Sequence, residues 1–282
     1  MPKASDSVTD RLVRLRQGLD ELGSVLVAFS GGVDSAFLLK VASEQLGPRC
    51  IALTTESPST PAHDREAARR LAADLAVTHV VIDTNELDIP EYAANPVNRC
   101  WFCKDHLFAI CERERDTRGL AVVIDGANAD DLGDHRPGLD AAARRGVRHP
   151  LVEAGFDKAA VRAASRDLGL STWDRPASPC LSSRIPYGTP ISAEALARVD
   201  AAERFLRTLG FGELRVRAHD RLARIEVPPA DVARLAETTI REQVVGELRR
   251  LGFLQVTVDL RGFRSGSLNE GVPGANARRP QR

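Results

Sequence analysis

Between residues 7 and 22, leucines recur at Leu12, Leu15, Leu19 and Leu22. That three-to-four spacing lines one side of a helix. The pattern then changes. Residues 25–29 form an unbroken apolar run, as in a central parallel strand covered on both faces, and residues 36–41 return to helical character. Second and third strands are predicted at 50–55 and 79–83. Between them Pro61 opens a helix that turns Ala67, Leu71 and Leu75 inward. A helix at 107–115, a fourth strand at 121–125 and a helix at 157–168, capped by Asp157, complete the series. Strands alternating with helices across short links predict an α/β fold with a doubly wound parallel sheet. Ligands of such sheets sit beyond the carboxyl ends of the strands. That edge carries Thr54, Thr55, Glu56 and Ser57.

The rhythm ends near Trp173. Residues 174–191 hold four prolines and little periodicity, which predicts an ordered functional loop between domains. A helix capped by Ser192 follows. Residues 213–219 then alternate strictly, with Leu214, Val216 and Ala218 on one face and Arg215, Arg217 and His219 on the other. Residues 223–227 alternate as well. A helical stretch at 231–250 and a strand at 255–260 complete a smaller α+β C-terminal domain with an arginine-rich sheet face. The expected divisions are 1–175, a loop at 176–190, 191–270, and a disordered tail at 271–282.

Composition narrows the function classes. In 282 residues, 39 basic and 39 acidic side chains balance, which disfavours a nucleic-acid partner. No apolar stretch is long enough to span a membrane, and the N-terminus lacks the apolar core of a signal peptide. A cytoplasmic protein is expected. Five cysteines do not make a disulfide framework in a chain of this length.

The candidate chemistry lies at the punctuation marks. Ser30-Gly31-Gly32-Val33-Asp34-Ser35 joins the first strand to a helix. Two glycines free the backbone N–H groups, and the helix start adds orphan donors and the positive end of its dipole. An anion site for phosphate or pyrophosphate is expected. It is not a Walker A loop, since no lysine lies in the turn. Beyond the fourth strand, Gly126, Asn128, Asp130, Asp131, Asp134 and Arg136 are candidate partners for magnesium or nucleotide, or simply a polar loop. Cys100 and Cys103 form a CxxC, and Cys180 lies in the proline-rich loop. Three thiolates suffice for an iron–sulfur cluster with one open iron, or for a nucleophile with resolving partners, or they are incidental. Cys50 and Cys111 fall in a strand and a helix, and read as core. Arg215, Arg217 and Arg264 are either a phosphate or carboxylate clamp or a solvated face with Glu226 as counter-charge.

SGGVDS at 30–35 resembles the PP-loop of ATP pyrophosphatases, which cleave ATP to AMP and pyrophosphate. Further blocks are NPVNRCWFCK at 95–104, VIDGANADDLGDHRPG at 123–138, SSRIPYGT at 182–189, RVRAHDRLARIEVP at 215–228 and DLRGFRSG at 259–266. With these, residues 10–270 resemble the LarE-type ATP-dependent sulfurtransferases of nickel-pincer nucleotide cofactor biosynthesis. The resemblance implies a substrate, pyridinium-3,5-biscarboxylic acid mononucleotide. It implies a reaction, in which ATP adenylates one carboxylate and sulfur then displaces AMP to leave a thiocarboxylate. It implies nucleotide contacts from Ser30, Gly31, Gly32, Val33, Asp34, Ser35, Thr55, Gly126 and Arg136. Substrate contacts would come from Ser183, Arg184, Arg215, Glu226 and Arg264, and magnesium would be held by Asp34, Asp131 and Glu203. Sulfur would come either from Cys180, sacrificed to dehydroalanine, or from a [4Fe-4S] cluster on Cys100, Cys103 and Cys180. The CxxC favours the cluster. A homo-oligomer, in some members a hexamer, is also implied. The rival readings are a PP-loop tRNA thiolase and a non-catalytic nucleotide-binding sensor.

Overall fold

The computed structural model describes residues 6–133, 137–176, 178–264 and 267–269. In chain order the elements are α1 (Val8–Leu22), β1 (Val25–Ala28), α2 (Val33–Leu46), β2 (Cys50–Glu56), α3 (Ala62–Asp74), β3 (Thr78–Asp83), α4 (Pro90–Ala93), α5 (Arg99–Thr117) and β4 (Val122–Asp125). They continue with α6 (Pro137–Arg144), α7 (Pro150–Glu153), α8 (Lys158–Asp167), α9 (Ala193–Thr208), β5 (Arg215–His219), β6 (Leu222–Glu226), α10 (Val232–Ala236), α11 (Thr238–Arg250) and β7 (Gln255–Val258). Two compact units result. The first comprises residues 1–57, 62–85 and 100–178; the second comprises 58–61, 86–99 and 179–282. The short segments 58–61 and 86–99, read from sequence as part of the N-terminal domain, therefore group with the C-terminal unit.

In the first unit four parallel strands stand in the order β3-β2-β1-β4. The strands read as apolar runs because both faces are covered. Alternation along β1 sends Val25 and Val27 to one face and Leu26 to the other. The first face packs against Leu15 and Leu19 of α1, the apolar length of α2, and Ala160, Val161 and Ala164 of α8. The opposite face packs against Phe108 and Cys111 of α5 and Ala142 of α6. Helices on both faces make the sheet doubly wound. Ser7 and Asp10 form a capping box at the start of α1, and Gly23 at φ +74° ends it.

In the second unit three strands lie in the order β5-β6-β7. β5 and β6 form an antiparallel hairpin, and β7 adds parallel to β6 after the helical crossover of α10 and α11. That crossover, predicted as one stretch, is broken at Glu237, whose extended backbone (φ −59°, ψ 136°) separates the two helices. Ser192 caps α9 through the Ala195 N–H. The tail predicted at 271–282 lies outside the described residues.

Candidate active site

The turn between β1 and α2 is built from its own hydroxyls. Ser35 Oγ sits 3.3 Å from the Ser30 N–H, which it accepts, and donates to the Gly32 carbonyl at 3.2 Å. Gly31 is in the left-handed region at φ +73°, and a Cβ there would stand 3.0 Å from Ala68 Cβ on α3. Only glycine makes this turn without strain. Gly32 is the N-cap of α2 and no side chain caps it, so the first N–H groups of the helix are left for an anion. Gly126, at the end of β4, closes in from the other side: a Cβ there would lie 2.7 Å from Ser35 N. Residues far apart in sequence are thus brought against one helix start. Thr54 Oγ1 donates to the Phe29 carbonyl at 2.7 Å, and Thr55 follows at the carboxyl end of β2.

Two acidic residues face this turn. Burial, and next the negative charge of Asp131, push the Asp34 carboxyl above its ordinary range, against the opposing pull of Lys158, Asn128 and Arg162. Asp131 is buried, accepts the Asn128 N–H at 3.1 Å, and has Lys158 Nζ 3.9 Å away. A carboxylate whose ionisation is opposed by burial and by a second carboxylate nearby is a natural place for a cation. Among the described residues, however, no group of three or more His, Cys, Asp or Glu side chains stands ready to hold a metal ion. Arg136 lies outside the described residues. Nearby, His149 Nδ1 and Asp125 Oδ1 are 2.6 Å apart at the end of β4, a pair the sequence reading missed.

The CxxC differs from its sequence reading. It lies within helix, because α5 begins at Arg99 rather than at 107. The turn before it is closed by the Arg99 N–H on the Pro96 carbonyl at 3.0 Å. Cys100 and Cys103 are therefore three apart on one helix face, the first exposed and the second half-buried. Cys50 and Cys111 are buried, and burial pushes both thiols up to about 12. Core positions suit them, as expected.

In the second unit Cys180 precedes a short 3-10 turn, Leu181–Arg184. Arg184 organises this turn. It donates to the Pro179 carbonyl at 2.7 Å and binds Glu203 through two bonds, 2.8 Å and 3.0 Å long. Glu203, expected as a cation ligand, is instead a buried anchor: both its oxygens are engaged by Arg184, and one also accepts the Val216 N–H. The solvated arginine face is corrected too. Arg215 and Arg217 are 6% and 2% exposed. Arg217 is paired with Glu226 at 2.5 Å, and donates to the Ser183 carbonyl at 2.9 Å and to Ser267 Oγ at 2.6 Å. Arg215 is different. Among the described residues it has no carboxylate within ion-pair distance; it lies 4.3 Å over the Phe263 ring and donates to the Arg264 carbonyl at 3.2 Å. Burial, then the positive charges of Arg184 and Arg217, pull it down to about 10. A buried guanidinium without a carboxylate is suited to an anionic ligand.

Comparison with known proteins agrees with these features. The asparagine synthase family profile matches residues 8–171. An uncharacterised protein of Synechocystis sp. is 46% identical over 259 residues, covering 92% of this chain and 97% of its own. The pyridinium-3,5-bisthiocarboxylic acid mononucleotide synthase of Lactiplantibacillus plantarum is 38% identical over 253 residues, covering 89% of this chain and 91% of its own. A solved NMN synthetase of Francisella tularensis covers 61% of this chain and 76% of its own at a TM-score of 0.48 and 19% identity, too slight a likeness to bear on substrate. With an open helix start beyond β1, and a relative of that identity matching along nearly its whole length, the chain belongs to the PP-loop family of the pyridinium-3,5-bisthiocarboxylic acid mononucleotide synthases.

Proposed function

We propose that the chain is an ATP-dependent sulfurtransferase acting on pyridinium-3,5-biscarboxylic acid mononucleotide. The observation that carries this reading is the uncapped start of α2 beside Gly126, in a chain 38% identical to a synthase of the bisthiocarboxylic nucleotide. A carboxylate oxygen of the substrate attacks the α-phosphorus of ATP, the bond to pyrophosphate breaks, and an acyl adenylate forms. A sulfur nucleophile then attacks the acyl carbon, AMP leaves, and a thiocarboxylate remains. The turn Ser30, Gly31, Gly32, Val33, Asp34 and Ser35 holds the triphosphate through the N–H groups left open at the start of α2, which oppose the charge that builds on it. Thr55, Gly126 and Arg136 complete the nucleotide site. Asp34 and Asp131 would hold magnesium, which neutralises phosphate charge when bound. Ser183, Arg184, Arg215, Glu226 and Arg264 form the substrate set, and Arg215 is the member best suited to a phosphate.

In one version of this reading Cys180 is the sulfur donor: its thiolate displaces AMP to form a thioester, and loss of the Cys180 Cα proton then breaks its Cβ–Sγ bond, leaving the thiocarboxylate on the substrate and dehydroalanine in the chain. In the other, Cys100, Cys103 and Cys180 are the thiols a [4Fe-4S] cluster would use. The donor chemistry fits, but the described residues bring no three such groups together, so no step is derived through a cluster. A cytoplasmic homo-oligomer is part of the same reading. No helix among the described residues is long and apolar enough to cross a membrane.

Intact mass before and after anaerobic turnover tests the proposal. Thiocarboxylate product with the chain lighter by one hydrogen sulfide at Cys180 means a sacrificed cysteine. Product with unchanged chain mass means a carried sulfide, with iron expected in the protein. No pyrophosphate and no product would overturn the assignment, and salt-sensitive tRNA binding would then favour the thiolase.

A further inference from the structure

One polar cluster in the first unit is unused by the chemistry above. Asp64, in the first turn of α3, is 8% exposed. Its Oδ1 accepts from Arg175 Nη2 at 2.6 Å and its Oδ2 accepts from Ser178 Oγ at 2.6 Å. Arg175 also reaches the phosphate turn, donating from Nη1 to the Gly31 carbonyl at 3.2 Å. Arg162 of α8 holds the same segment by its backbone, donating to the Trp173 carbonyl at 2.7 Å and the Arg175 carbonyl at 2.8 Å. Helix α3 thus meets Gly31 twice: sterically through Ala68 and electrostatically through the Asp64–Arg175 pair.

We infer that Arg175 and Asp64 are positioning residues that couple occupancy of the phosphate turn to the segment leading into Cys180. This deepens the reading above and rests on it. A strap that only had to anchor Trp173, Arg175 and Ser178 could be apolar, whereas burying an ion pair carries a desolvation cost. What an ion pair adds is competition. Arg175 stands between one carboxylate and a turn whose N–H groups await a second anion. When the triphosphate enters, its charge competes with Asp64 for that guanidinium. The loss of Arg175 weakens the hold of Asp64 on this segment, and the change passes to Ser178. Only Pro179 separates Ser178 from Cys180, so at most about 7 Å of chain carries the change onward. The ligand shifts the segment because it binds the two arrangements with different affinity.

The test uses the full-length protein and Mg-ATP alone as probe. The rate of Cys180 alkylation by iodoacetamide is followed by peptide mass, so that exposed Cys100 does not confuse the reading. Mg-ATP is expected to change that rate by about fivefold or more, a common size for coupling between sites. In Asp64→Asn and Ser178→Ala the change should shrink below about twofold. Ser178→Ala should still bind ATP within about threefold of the parent by calorimetry, which a merely structural lesion would not allow. Since Ser178 is exposed, that variant stays informative if Asp64→Asn fails to fold. Arg175→Lys, which keeps the charge but cannot span both partners, should fall between. ATP binding with an unaltered rate, or an equal change in parent and variants, overturns the coupling while leaving the sulfurtransferase reading intact. No ATP binding at all overturns both.

Discussion

The two units treat charge in opposite ways. In the first, the middle of the sheet is apolar: Val25, Leu26, Val27, Ala52 and Leu53 are fully buried, and the polar groups of the site stand at the carboxyl ends of the strands and just past them. In the second, charge runs through the sheet itself, with Arg217 and Glu226 on adjoining strands at 2% and 1% exposure and Arg184 against Glu203 beside them. The first arrangement lets the core be optimised without regard to the chemistry. The second makes the site part of the core, so a change in either is felt in both.

The sharpest way to break this contrast is Glu226→Ala. It leaves the buried Arg217 guanidinium without its carboxylate, and the expected loss is about 3–5 kcal/mol in urea unfolding of the second unit. The paired variant Arg217→Met with Glu226→Leu should recover most of that loss, because no lone charge remains. A result in which the single variant is harmless would show that the pair contributes little. In the first unit the largest effect falls on the loops. Gly126→Ala forces a Cβ to within 2.7 Å of Ser35 N, so about 1–3 kcal/mol of strain is expected, together with a loss of ATP affinity of about tenfold or more by calorimetry. Asp157→Ala comes next. It removes the cap on the Ala160 N–H of α8 and should cost about 1 kcal/mol, measured as a lower Tm with ATP affinity unchanged.

The smallest effect is a pH dependence. The hydrogen bond to Asp125 raises His149 above its ordinary value, with burial opposing. A group raised on folding contributes stability that is fully present below the unfolded value, near 6.5, and is lost as pH rises through the folded one. The Tm gap between the parent and His149→Gln should therefore be widest near pH 6 and should narrow toward pH 8.5. A gap that is constant with pH would assign the pair no such role.

The same contrast decides what could be read from the chain. The parallel strands were legible because burial on both faces leaves a local signature, the apolar run. Alternation in β5 correctly grouped Arg215 with Arg217, but period two does not say whether a face meets water. The partner that settles it, Glu226, stands on the next strand, paired in register with Arg215. Asp64 had no distinguishing mark, since an acidic residue in a first helical turn after Pro61 is accounted for by the helix dipole. Its partner Arg175 is 111 residues away. The start of α5 was obscured by the Asn95-Pro96 turn and two cysteines, which interrupt the apolar pattern without interrupting the helix.

One feature of the sheet bears on how the chain is made. β1 is central, yet one of its edges waits for β4: Val25 pairs with Val122, and nearly the whole of the intervening chain must be synthesised first. At roughly 5–20 residues per second, about 5–20 s pass on the ribosome with that hydrophobic edge uncovered. The β5–β6 hairpin, closed at Asp220, needs no such wait and pairs as soon as it emerges. Nascent chains stalled between residues 28 and 122 are thus the ones most open to wrong strand partners, and the ones a holding chaperone would be found on.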